Sequence, residues 1–178
     1  MKPPIVDKTP TNWFLAGDHP EDYKIGTDNV SAPDGKSSGF IESINSNAFG
    51  FGTLMQMTKA DKYRGERVKM SANIKTDNAK QWVGMWFRID GEKESQLAFD
   101  NMADRPIRGT TDWTRYEIVL DVDKNAAYLA FGILLARTGK AWISDITFEV
   151  VNVVTPITNP DKIWNIFPER PLNLDFKS

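Results

Sequence analysis

The sequence predicts an all-β fold, a two-sheet jelly-roll sandwich. Short runs rich in β-branched and aromatic residues follow one another along the chain, separated by turn-forming residues. There are about eight to ten such runs, the number a jelly roll uses. Almost no window shows the 3.6-residue apolar repeat of a helix. Lys59–Tyr63 alone suggests a single helical turn.

Residues 1–11 carry three prolines and read as an extended N-terminal arm. Strands are then expected at Trp13–Ala16, Tyr23–Thr27, Ser38–Ile44 and Thr53–Thr58. They continue at Arg67–Thr76, Trp82–Asp90, Gln96–Asn101, Thr114–Val122, Ala127–Leu135 and Ala141–Val151. The breaks fall at Pro33-Asp34-Gly35, Asn78, Asp90-Gly91, Arg108-Gly109 and Thr138-Gly139, each a combination that favours a turn. Glycines at 50 and 52 suggest a bulge or a close backbone approach. The sandwich is expected to occupy residues 12–154.

Residues 155–178 have a different texture. Four prolines rule out a central strand. Ile163, Trp164, Ile166, Phe167, Leu172, Leu174 and Phe176 make the stretch too apolar for a free linker. It reads as a Pro-rich C-terminal extension that packs back over the sandwich or over a second subunit. The alternative is a linker to another domain.

Composition narrows the function. The 178 residues suffice for one domain with a sizeable core. Twenty-two basic and 24 acidic residues leave a net charge of −2, and no long basic run marks a nucleic-acid surface. There is no cysteine, which fits a reducing compartment. No stretch resembles a secretory signal or a membrane span, so a cytoplasmic location is expected.

The most informative segment is Gln81–Asp90, QWVGMWFRID. In a strand, Val83, Met85, Phe87 and Ile89 face a core, while Trp82, Gly84, Trp86, Arg88 and Asp90 face outward. Two indoles and a guanidinium are unusual on a solvated face. They suit a sugar ring, which stacks on indole through its C–H face and hydrogen-bonds through its hydroxyls. Gln56, Asn73 and Lys75 from neighbouring strands are expected in the same trough. Asp100, Asn101 and Arg105, from the polar loop FDNMADRPIRG, are expected on its rim. The alternative for that loop is an ion pair from Arg105 to Asp100 or Asp104 that pins the bend before Pro106.

Two segments, YRGERVKMSANIKT and WTRYEIVLDVDKNAAYLAFGILLARTGKAWISDITFEVV, resemble galactose-binding-like jelly rolls. The pattern is similar to many carbohydrate-binding modules. NWFLAG, GFGTLMQM and FDNMADRPIRGTTDW resemble a domain attached to some bacterial AraC-type transcription regulators. The resemblance covers residues 12–152 and extends to the PLNLDF ending, and it supports the fold more than any one function. It implies Asp145 as the candidate ligand of a structural calcium; no other cofactor is expected. The sequence shows no helix-turn-helix pattern, so direct DNA contact is not expected. A homodimer or a separate regulator protein is the implied partner.

Catalysis finds little support. His19, the only histidine, sits in the turn-like AGDHPEDY, and no G-x-S-x-G elbow exists. A carboxylate pair such as Asp90 and Asp100 would serve a glycoside hydrolase if properly spaced. The leading reading is therefore non-catalytic binding of a carbohydrate or a similar small polar ligand. The alternatives are an interaction module whose aromatic face meets a partner or the chain's own tail, and a small glycoside hydrolase.

Overall fold

The computed structural model describes residues 9–29, 32–33 and 35–159, except for the Glu94 side chain. Its strands are β1 (Phe14–Gly17), β2 (Tyr23–Asp28), β3 (Ser38–Ser43), β4 (Phe51–Lys59), β5 (Arg67–Asp90), β6 (Gln96–Asp100), β7 (Ile107–Asp121), β8 (Tyr128–Ala136) and β9 (Lys140–Val151). Among the described residues there is no α-helix, only short 3-10 turns at Pro20–Asp22 and Glu92–Glu94. No helix there is long and apolar enough to cross a membrane.

Strand β5 organises the sandwich by belonging to both layers. Its first half pairs with β7 and β9, and β9 continues through β3 to β2. Its second half pairs with β8 and β6, and β8 continues through β4 to β1. Two strands expected from the sequence, Arg67–Thr76 and Trp82–Asp90, are thus one bent strand. The bend lies at the expected break: Asn78 has φ 50°, and the ladder with β7 shifts register between Ile74 and Val83. The inward positions change parity there. Val68, Met70, Ala72 and Ile74 are buried before the bend, and Val83, Met85, Phe87 and Ile89 after it. All join one apolar core with Ile41, Leu54, Ile118, Leu129 and Ile133. Each of the larger of these side chains contributes about 1.5–3 kcal/mol by leaving water.

Two local expectations need correction. Lys59–Tyr63 closes as a turn, with the Tyr63 N–H donating to the Ala60 carbonyl at 2.8 Å, and does not become helical. Arg108-Gly109 lies inside β7, which begins earlier than expected because Ile107 pairs with Val83 and is buried. Gly109, at φ 75°, serves as an irregularity within the strand.

After β9, the chain is tied back onto the sandwich. The Arg67 guanidinium pairs with Asp121 and donates to the carbonyls of Val153 (2.5 Å) and Thr155 (2.8 Å). Thr158 exchanges bonds with Val119: its N–H donates to the Val119 carbonyl and its hydroxyl accepts the Val119 N–H. The Ile163–Phe176 stretch lies outside the described residues.

Candidate carbohydrate-binding groove

The outward face of the β1-β4-β8-β5-β6 layer forms a groove of about 660 Å³. The alternation of QWVGMWFRID places Trp82, Trp86 and Arg88 along it. Opposite them on β8, Trp82 pairs with Ala136, Gly84 with Leu134, Trp86 with Gly132 and Arg88 with Ala130. Those mostly small residues keep the groove open beside the aromatic rings. A methyl group at position 84 would meet the Asn101 carbonyl and the Trp82 ring, so glycine is what lets both approach.

Trp86 forms the floor rather than a free stacking platform. It is 6% exposed, and its indole N–H donates to the Thr53 hydroxyl at 2.8 Å. Phe99 tilts against it with ring centroids 6.4 Å apart, and the Arg88 guanidinium lies 5.7 Å from its ring centre. Trp82 is only partly buried and presents more of its ring. Arg88 donates through Nε to the two Asp90 oxygens at 2.8 and 3.0 Å. Its Nη groups make no hydrogen bond among the described residues. Beyond Arg88, a further hollow of about 570 Å³ is lined by Met57, Asp90, Gly91, Lys93, Gln96 and Tyr128.

Of the expected site residues, Trp82, Trp86, Arg88 and Asn101 line the groove. The other five stand elsewhere. Gln56 pairs with Phe131 on the inward side of β4; the odd residues of that strand, Phe51, Thr53 and Met55, face the groove. Asn73 and Lys75 belong to the first half of β5, hence to the opposite layer. Lys75 there lies 5.7 Å from the Trp142 ring centre. The bend in β5 sends the two outward faces to opposite sides of the molecule. Asp100 is 1% exposed and bonded by Arg105 Nη2 (2.6 Å), the Thr158 hydroxyl (2.6 Å) and the Met102 N–H (2.8 Å). Arg105 also pairs with Asp104 at 2.7 Å, so the expected alternative, a pinned bend before Pro106, is what forms. Burial opposes the Arg105 charge, but the hydrogen bond and charge of Asp100, with Asp104, hold its pKa above the usual guanidinium range.

Sequence reasoning missed Asp18, Phe51, Thr53, Met55, Gln81, Phe99 and Leu134 in the groove. Phe99 was recoverable, since alternation puts it on the face opposite Asp100. Asp18 was not, because a loop brings it there. One of its oxygens accepts the Phe51 N–H at 2.6 Å, and Gly50, at φ 60°, leaves it the space.

Asp145 takes part in ion pairs. Its carboxylate meets Lys36 (3.3 Å) and Arg115 (3.1 Å), and no cluster of three or more candidate metal ligands occurs among the described residues. His19 bonds Glu21 at 3.1 Å and stands edge-on to Phe49.

Comparison with known proteins agrees with the architecture. No protein-family model matches the chain. It is 39% identical over 173 residues to an uncharacterized HTH-type transcriptional regulator, YbfP, of Bacillus subtilis (strain 168), covering 97% of this chain. The chain spans 58% of that regulator's length. Among solved structures, it is similar to the CBM22-1 xylan-binding domain of Paenibacillus barcinonensis Xyn10C. That match has a TM-score of 0.59 at 11% identity and covers 84% of this chain and 92% of that one. In architecture, the sandwich is the jelly roll of carbohydrate-binding modules. One fifth of the chain of the bacteriophage CBA120 tailspike protein 4 enzymatically active domain is similar in fold (TM-score 0.60, 15% identity, 79% of this chain and 20% of that one).

Proposed function

We propose that the groove binds a carbohydrate without turning it over, and that the domain is a sensing part of a cytoplasmic transcription regulator. The observation that carries this is the groove itself. Trp82 and Trp86 supply apolar aromatic surface, and Asp18, Gln81, Arg88 and Asn101 surround it with donors and acceptors. A pyranose presents that combination in reverse, with apolar C–H faces and a hydroxylated rim. The xylan-binding domain of similar fold and the regulator of similar sequence support the two halves of the reading.

Turnover is left out because the carboxylates are engaged. Arg88 holds both oxygens of Asp90, and Asp100 is enclosed by Arg105 and Thr158. Hydrolysis of chromogenic glycosides that disappears in Asp100→Asn would show otherwise.

The test is tryptophan fluorescence titrated with xylohexaose and a panel of mono- and oligosaccharides. At least one sugar should shift the emission. Trp82→Ala should weaken its binding about 10-fold, the worth of ~1.4 kcal/mol from one aromatic contact, with the fold retained. Silence across the panel would end the carbohydrate reading.

A second reading has its own observation. Phe14, Phe51, Met57 and Tyr128 are exposed on this same layer, and exposed apolar surface also marks protein interfaces. Under that reading, sedimentation shows mass rising with concentration, and Tyr128→Lys abolishes the rise. A constant monomer mass discards self-association.

A further inference from the structure

We propose that occupancy of the groove is transmitted through β6 to the segment that leaves the sandwich, residues 152–159. The identity of the occupant rests on the carbohydrate reading; the mechanical link does not.

The link is two consecutive residues with opposite duties. Phe99 turns its ring into the groove against Trp86, while its carbonyl accepts the Asn159 side-chain N–H at 2.9 Å. Asp100 points the other way and accepts the Thr158 hydroxyl at 2.6 Å. A ligand resting on the Phe99 ring therefore bears on the backbone that clamps the exit segment.

Strand β6 is suited to respond. It is five residues long, its only strand pairing among the described residues is with β5, and its ladder is irregular at Ile89/Asp90. The geometry favours an all-or-none release of the clamp. Asp100 is enclosed, so releasing Thr158 leaves a buried carboxylate one donor short, and partial release gains little. Ligand packing on Phe99 holds β6 in place and favours the clamped arrangement. Linkage then requires that loosening the clamp weaken the ligand by the same factor.

The experiment is hydrogen exchange on the full 178-residue chain. Saturating xylohexaose should slow exchange at residues 152–159 about 10-fold, equivalent to ~1.4 kcal/mol. Thr158→Val should erase that slowing and weaken xylohexaose by a matching factor. Without ligand, Phe99→Ala should speed exchange at 152–159 and leave 67–76 unchanged; Phe99→Leu serves if the alanine variant does not fold. A fluorescence response to xylohexaose with no change at 152–159 overturns the coupling and leaves the carbohydrate reading intact. If no sugar binds, the Phe99 variants decide: unchanged exchange at 152–159 overturns the coupling on its own.

Discussion

The Trp86 indole N–H donates to the Thr53 hydroxyl across 2.8 Å, and that hydroxyl donates to the Ile133 carbonyl across 2.9 Å. The relay joins β5, β4 and β8 beneath the groove and fixes the orientation of its floor. Thr53→Val keeps the shape but removes the acceptor, leaving a buried indole N–H unpaired. The expected cost is about 1–3 kcal/mol in chemical denaturation, largely absent in Thr53→Ser. Equal stability of the two variants would show that the relay holds nothing.

Gly84 sits where the Trp82 ring and the Asn101 carbonyl converge. Gly84→Ala should destabilise the protein by about 1–3 kcal/mol and displace Trp82, reducing the fluorescence response to sugar. A fully stable variant with unchanged emission would mean that the wall yields freely.

The two layers make opposite predictions for binding. Alanine at Gln81 or Asn101 should weaken a bound sugar about 2- to 10-fold, the range for one hydrogen bond. Alanine at Asn73 or Lys75, on the other layer, should leave affinity within about 2-fold of the wild type. Calorimetric titration of all four separates the faces; a loss confined to Asn73 and Lys75 would move the site to the opposite layer.

Tyr23 predicts an alkaline limb of stability. Burial pushes its hydroxyl up to about 12, and the protonated hydroxyl donates to the Arg137 carbonyl at 2.9 Å. Near pH 10 the unfolded chain releases this proton and the folded protein retains it. The Tyr23 contribution is complete below pH 10 and is lost as pH rises towards 12. Thermal melts over that range should fall less steeply in Tyr23→Phe. Parallel curves for the two proteins would remove Tyr23 as the cause.

Much of the architecture was legible because strand alternation is a local property. Burial at Met70, Ala72 and Ile74, then at Val83, Met85, Phe87 and Ile89, follows directly from the spelling of β5. The outward direction of Trp82, Trp86 and Arg88 follows from the same pattern. The face taken by Gln56 was not legible, because QMTK contains no apolar alternation strong enough to set the parity of β4.

Alternation along the chain by itself determined that the domain is built of strands and that two tryptophans and an arginine share one surface. Only the tertiary structure decided what accompanies them. The bend at Asn78 carries Asn73 and Lys75 to the far layer, and the loops and edge strand bring in Asp18 and Phe99. The reason is physical: side-chain direction within a strand is set by neighbouring peptide units, whereas the pairing of distant strands depends on the packing of the whole core.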